Sequence, residues 1–148
     1  RSAGKPPGLD RKHEKQVQGF CRELIQRGLI SSAHDCSEGG LAVAVAESCF
    51  SPGCQTLGAT LTLESTLRND ALLFGETQSR IVISFAEERI NEIEDLAMAF
   101  PVDFSLIGKV GGSHFTIMVN GNEIVKQEID VLKEIWKTSL GNYAGQTT

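Results

Sequence analysis

One short tract combines side chains that could act on a ligand with two glycines. It reads His34, Asp35, Cys36, Ser37, Glu38, Gly39 and Gly40, and an apolar run follows. A helix that begins at the glycine pair would present unpaired N–H groups and its positive dipole end to an anion, and the absent side chains would let a phosphate approach. The same glycines would equally allow a tight turn and close helix packing. The pattern leaves both interpretations open.

His34 and Asp35 also suggest a general base or a metal ligand. Neighbouring residues on a strand point to opposite faces, however, so the two would not act on one group as a pair. We therefore predict that they brace the turn. A nucleophile built from Cys36 and His34 is disfavoured, because the pattern contains no third group to orient it.

A second polar tract directly precedes the apolar segment RIVISF. Glu76 could bind Mg²⁺ or accept hydrogen bonds, the amide of Gln78 both donates and accepts, and Arg80 pairs with phosphate or carboxylate. The alternative is a solvated loop held by a Glu–Arg brace. The candidate ligand-binding residues of the two tracts are Ser37, Glu38, Gly39, Gly40, Glu76, Thr77, Gln78 and Arg80.

A third tract, GKVGG at 108–112, is similar to a phosphate-binding loop in composition only. That loop requires Ser or Thr after Gly-Lys and a helix after it, whereas here an alternating strand pattern follows. We predict a strand that ends in a β-turn.

Composition excludes several classes of protein. The formal net charge of −5 disfavours a nucleic-acid or anionic-membrane binder, and the apolar run Leu41–Ala46 is too short to span a bilayer. The first ten residues contain neither an initiator Met nor the apolar stretch of a signal peptide, so we expect a cytoplasmic domain fragment of a longer polypeptide. The four cysteines contain no CxxC pair and are predicted to be reduced thiols that bind no metal.

The periodicity predicts the element order α-β-α-β-β-α-β-β-β-α, with a short helix or turn over 69–74. A first helix over 10–27 is capped by Asp10 and ended by Gly28. The other predicted elements are strands at 29–34, 59–64, 80–85, 102–110, 114–119 and 123–126 and helices at 41–48, 87–100 and 130–140. This order predicts an α+β fold whose mixed, largely antiparallel sheet is flanked by helices. Residues 1–9 are interpreted as a linker, 10–141 as the domain and 142–148 as a tail.

Taken together, the tracts resemble one enzyme family. SAHDCSEGGLAVAVAE and LLFGETQSRIVIS are similar to two signatures of phosphoribosylformylglycinamidine synthase, and PPGLDRKHEKQVQ, IGKVGG and LKEIWKTSL also fit. The matches run in order over about 5 to 140. Other synthetases of this superfamily, which make aminoimidazole ribonucleotide or selenophosphate, share the glycine turn but not its combination with GETQSR.

The resemblance implies a fold and a reaction. The fold would be the C-terminal domain of the aminoimidazole ribonucleotide synthetase type, with α/β/α layers and a partly ferredoxin-like arrangement. The enzyme would be a carbon–nitrogen ligase of purine biosynthesis that uses ATP and Mg²⁺. It would replace the amide oxygen of formylglycinamide ribonucleotide with ammonia from glutamine. Its partners would be N-terminal domains of the same polypeptide, a glutaminase subunit and a small accessory subunit.

The resemblance also places the catalytic residues in family segments outside this chain, which alone would be inactive and would require no cofactor. In the family's first C-type domain the tract that corresponds to Glu76, Thr77 and Gln78 binds substrate. The pseudo-symmetric half to which this chain would belong holds a structural nucleotide in some members. Three roles therefore remain open for the two tracts: a ribotide or nucleotide site, a phosphate-binding module that acts alone, or a purely structural interface.

Overall fold

The structure, a computed structural model, describes residues 8–51, 53 and 55–145, with side chains as far as 139. Within them the helices are α1 Arg11–Gln26, α2 Gly40–Cys49, α3 Asn69–Phe74, α4 Ile90–Ala99 and α5 Ile129–Gly145. The strands are β1 Ser32–Asp35, β2 Ala59–Leu63, β3 Ile81–Ser84, β4 Gly108–Val110, β5 His114–Val119 and β6 Asn122–Glu128. The predicted element order and the α+β class are confirmed.

Both ends of α1 are determined by local chemistry. The Asp10 carboxylate accepts hydrogen bonds from the backbone N–H groups of Lys12 and His13, at 2.9 and 3.1 Å. At the other end Gly28 has a φ of +65°, its N–H donates to Ile25 and the Leu29 N–H donates to Leu24. These two bonds form a Schellman motif, which ends the helix where the sequence predicts.

The same motif corrects the predicted strand over 29–34. The N–H of Leu29 is bound to the helix and its side chain is buried, so Leu29 belongs to the helix cap rather than to a strand. The strand therefore begins only at Ser32.

Contacts divide the described chain into two compact units. The first comprises the described residues up to Ala44 together with Leu73–Leu106. In it β1 and β3 form a two-stranded antiparallel sheet, with Ala33 opposite Ile83. The core of this unit is formed by Phe20, Leu24, Leu29, Ile93, Leu96 and Ala97, and Ile83 packs against it.

The second unit comprises Val45–Leu72 and the described residues from Ile107. Its four-stranded sheet has the order β4-β2-β5-β6, in which only the β2–β5 pair is parallel. The alternating burial of β2 and β5 places Leu61 and Ile117 in the core. Asn120 and Gly121 both have positive φ and form the predicted hairpin turn between β5 and β6.

Three expectations about the elements are wrong. The strands form two sheets instead of one. The predicted strand from Val102 begins only at Gly108, because Val102 and Phe104 pack against the core of the first unit. Helix α5 continues to Gly145 instead of ending at residue 140, since a lone glycine weakens a helix without removing a backbone hydrogen bond.

The third tract is a strand followed by a turn, not a phosphate loop. A Cβ at Gly108 would lie 2.1 Å from the carbonyl oxygen of Thr60, so the close pairing of β4 with β2 requires glycine there. Gly111 and Gly112 have positive φ with open space around them, as a turn between β4 and β5 requires.

Candidate functional site

The glycine pair forms the turn from β1 into α2. Gly39 and Gly40 have φ values of +77° and +67°, which L-residues with side chains rarely adopt. A Cβ at Gly40 would lie 2.8 Å from the carbonyl carbon of Phe74 and 2.9 Å from the oxygens of Leu73 and Gly75. The start of α2 therefore packs directly on the backbone at the end of α3, and only glycine fits.

A carboxylate from the second tract binds the first turn of α2. The Oε1 of Glu76 accepts a hydrogen bond of 2.9 Å from the N–H of Gly39. The position that the sequence suggested for a phosphate is thus bound by the chain's own anion, which the positive end of the helix dipole also favours. The structure brings the two tracts together, with Ser37 and Glu38 exposed on the same turn.

The side chain of Arg80 makes its hydrogen bond within its own loop and is partly buried. Its guanidinium donates to the carbonyl of Gly75, and its own carbonyl accepts from the N–H of Cys36 at 2.9 Å. Within the described residues its Nε is buried and has no hydrogen-bond partner. Glu76 and Arg80 thus each bind backbone groups, whereas Thr77 and Gln78 between them are exposed.

Two residues of this cluster were missed by the sequence analysis. Ser79 has a φ of +63°, and its hydroxyl donates to Oε2 of Glu14 on α1. The hydrogen bonds from Ser79 and then from Gln18 lower the pKa of the Glu14 carboxyl. The available signal was the position of both residues inside tracts quoted for the family resemblance.

The contacts described for His34 and Cys36 do not favour a nucleophile and its base. The Nδ1 of His34 donates to the carbonyl of Asp35 at 2.7 Å, and Asp35 is exposed. Burial raises the pKa of the Cys36 thiol, with Arg80 opposing and Asp35 adding to the effect. A thiol held protonated is a poor nucleophile. The bracing role predicted for His34 and Asp35 stays a prediction.

Side chains that could ligate a metal are scattered over the part of the chain that the structure describes. Across the described ranges, no three His, Cys, Asp or Glu side chains are grouped so that they could hold a metal ion. Of the cysteines, Cys21, Cys36 and Cys49 are free thiols, and Cys54 lies outside the described residues. None of the described helices is both long and apolar enough to span a membrane.

The cluster is therefore built from three separate stretches of one unit: the start of α1, the β1–α2 turn and the loop before β3. Residues 2–120 match the family model described as AIR synthase related protein, C-terminal domain. The chain belongs to this family. This match confirms the superfamily that the tracts indicate, and both signature tracts lie within the matched residues.

Two curated relatives of this AIR synthase related domain carry the same name. The chain is 44% identical over 138 residues to phosphoribosylformylglycinamidine synthase subunit PurL of Moorella thermoacetica. The aligned residues cover 93% of the chain and 18% of that relative. It is 38% identical over 134 residues to the same subunit of Thermoanaerobacter sp. strain X514, again over 18% of its length. The chain thus spans about a fifth of these relatives.

Solved structures show the same fold. PurL of Thermotoga maritima complexed with ATP superimposes with a TM-score of 0.73 at 21% identity, over 84% of this chain and 22% of that one. Phosphoribosylformylglycinamidine synthase II of the same organism gives a TM-score of 0.74 at 20% identity, over 85% and 22%. The predicted likeness to the aminoimidazole ribonucleotide synthetase C-terminal domain is therefore confirmed at the level of fold.

Replacing Glu76 tests the bond between the two tracts. We expect Glu76→Ala to speed amide hydrogen exchange at Gly39 and to lower the free energy of unfolding by about 1 kcal/mol, because a hydrogen bond to a charged acceptor is lost at a partly solvated site. Glu38→Ala, which removes an exposed carboxylate from the same turn, is the control and should change stability by less than about 0.5 kcal/mol. Equal exchange at Gly39 in the two variants would show that the Glu76 contact has no energetic weight.

Proposed function

We propose that this domain belongs to the synthetase subunit of phosphoribosylformylglycinamidine synthase. The longer protein would use ATP and glutamine-derived ammonia to convert formylglycinamide ribonucleotide to formylglycinamidine ribonucleotide in the cytoplasm. Family membership and the PurL relatives support this proposal. One structural neighbour is PurLQS from Thermotoga maritima, which supports further subunits as partners. We propose that these are a glutaminase and a small accessory subunit.

Within that enzyme this chain would supply no catalytic residue. Its described carboxylates do not group as a magnesium site, and Glu76 is engaged by Gly39. ATP and Mg²⁺ would be held by other parts of the longer protein. The contribution of this chain would be to shape and present one polar surface, with no metal or cofactor of its own.

The bond between Glu76 and Gly39 is the observation that carries this role of shaping and presenting a polar surface. It divides the candidate residues into two groups. Glu76, Gly39, Gly40 and Arg80 make contacts within the chain and give the cluster its shape. Thr77 and Gln78, with Ser37 and Glu38 on the adjoining turn, are exposed and polar, and we propose that they contact a ribotide or nucleotide in the assembled enzyme.

A chimera tests this function. The matched segment of Moorella thermoacetica PurL would be replaced by this chain, and ATP-dependent amidation would be assayed with its partner subunits. We expect turnover by the chimera and none by the 148-residue chain alone. Gln78→Ala in the chimera should raise KM for the ribotide or for ATP about tenfold, with a smaller change in kcat. Glu128→Ala, an exposed change in the second unit, is the control.

The results separate the parts of the proposal. A correctly folded chimera without activity would reject the assignment to this enzyme. Turnover by the 148-residue chain alone would reject the view that it supplies no catalytic residue. Activity with an unchanged KM in Gln78→Ala would restrict the chain to a structural role.

A structural interface is the second candidate, favoured by apolar side chains that α5 leaves exposed. Ile135 is 58% exposed and Trp136 49%, although the Trp136 ring packs at a tilt against Phe50 and its N–H donates to Glu47. Exposed apolar side chains that lie near one another are typical of surfaces that meet another protein segment. Calorimetry of the chain with ADP, with and without Mg²⁺, separates the candidates: heat of binding indicates a nucleotide site, and its absence together with self-association indicates an interface.

A further inference from the structure

Ser79 has a positive φ that the residues next to it in sequence do not explain. Among the described residues only Ser79 and Asn120 combine a side chain with a positive φ. Asn120 lies in an Asn-Gly hairpin turn, where this conformation is ordinary. Ser79 directly precedes Arg80 and the strand β3, and its side chain makes a contact with a distant part of the chain.

That contact is with Glu14, which lies 65 positions earlier in the chain. The Ser79 hydroxyl donates to one carboxylate oxygen of Glu14, and the amide of Gln18, one turn further along α1, donates to the other. Both oxygens are therefore bound, which is consistent with the lowered pKa of this carboxyl. The Ser79 bond is partly buried, whereas the Gln18 bond is exposed.

The loop that contains Ser79 is thus held on both sides of its exposed residues. Before them, Glu76 binds the start of α2. After them, Ser79 binds α1 and Arg80 binds Gly75. Thr77 and Gln78 lie between these anchors and are exposed.

We propose that Glu14 and Ser79 are positioning residues that fix how the loop presents Thr77 and Gln78 to the ligand. The inference deepens the proposed function and rests on it for the identity of that ligand. The anchoring itself is a property of this chain and is measurable without any ligand.

The first experiment measures amide hydrogen exchange in the 148-residue chain. Glu14→Ala should speed exchange about tenfold at Cys36, whose N–H donates to the carbonyl of Arg80 beside Ser79, because one hydrogen bond to a charged group is lost. The amide of Leu96, in the core of the same unit, should keep its rate. Glu14→Gln retains an acceptor oxygen and should bring exchange at Cys36 back to within about threefold of the parent chain. Glu23→Ala removes another α1 carboxylate, one paired with Arg27, and should leave exchange at Cys36 unchanged.

A second variant keeps the test valid if Glu14→Ala folds poorly. Ser79→Gly removes the hydroxyl and also relieves the left-handed conformation, so its fold should be preserved while the loop loosens as in Glu14→Ala. Unchanged exchange at Cys36 in Ser79→Gly would overturn the proposal. Equal acceleration at Cys36 and at Leu96 would also overturn it, because that pattern indicates general destabilisation of the unit.

The chimera then distinguishes this inference from the function on which it rests. Glu14→Ala should raise the same KM that Gln78→Ala raises, and Glu14→Gln should restore it. A loosened loop with an unchanged KM would support the anchor and reject the ligand-binding role of the loop. A raised KM with an unchanged loop would reject the anchor and leave the proposed function standing.

Discussion

Gly40→Ala should lower the free energy of unfolding by about 3 kcal/mol or more. A left-handed conformation costs a residue with a side chain about 1–2 kcal/mol, and forcing a methyl group into packed atoms costs about 1–3 kcal/mol more. The atoms it would meet, at 2.8 and 2.9 Å, belong to the backbone of Leu73, Phe74 and Gly75 and cannot rotate away as a side chain can. Urea denaturation of the parent chain and the variant measures the difference.

Gly28→Ala is the matched control for this experiment. Gly28 has nearly the same φ, +65°, but no atom lies within 4 Å of the position that a Cβ would take. Its substitution therefore carries only the conformational cost, about 1–2 kcal/mol. A cost for Gly40→Ala equal to that for Gly28→Ala would mean that α2 and the loop after α3 separate easily, and that the glycine is present for the turn alone.

Leu24→Ala should lower the free energy of unfolding by about 2–5 kcal/mol, the range found for removing a fully buried leucine. Leu24 has 0% relative exposure and packs in the core of the first unit, where Ile93 is also at 0%. Its carbonyl also accepts the Leu29 N–H of the helix cap, at 3.0 Å. The cavity would therefore lie beneath the helix that carries Glu14.

The neighbouring Ile25→Ala is the control for Leu24→Ala. Ile25 is an aliphatic residue of equal size on the same helix but is 58% exposed, so we expect a change below about 1 kcal/mol. Urea denaturation followed by circular dichroism gives the stability, and exchange at the Leu29 amide reports on the same site locally. Similar costs for the two variants would contradict the assignment of this core.

The bond between Glu76 and Gly39 changes the interpretation of the glycine turn. From sequence, two glycines before an apolar helix indicate an anion site and a packing turn about equally. In the structure the helix start receives a carboxylate from the same chain, and Gly40 lies against backbone. These contacts favour a bracing role for the turn and make the loop beyond it the surface to test for ligand binding.

The sequence by itself determined the features that depend on residues a few positions apart. The Asp10 cap, the Gly28 end of α1, the alternation along β2 and the Asn120-Gly121 hairpin all follow from local hydrogen bonds and side-chain periodicity. The ordered tracts also sufficed to indicate the family, because a resemblance of this kind requires no coordinates.

Only the tertiary structure decided which distant groups meet. Glu76 bonds to Gly39 across 37 positions and Ser79 to Glu14 across 65, and neither distance has a periodicity that a helix or strand could reveal. The parallel pairing of β2 with β5 and the division into two sheets likewise depend on the path of the folded chain. Sequence patterns reveal contacts between residues a few positions apart. This site is held by contacts between segments that come together only on folding.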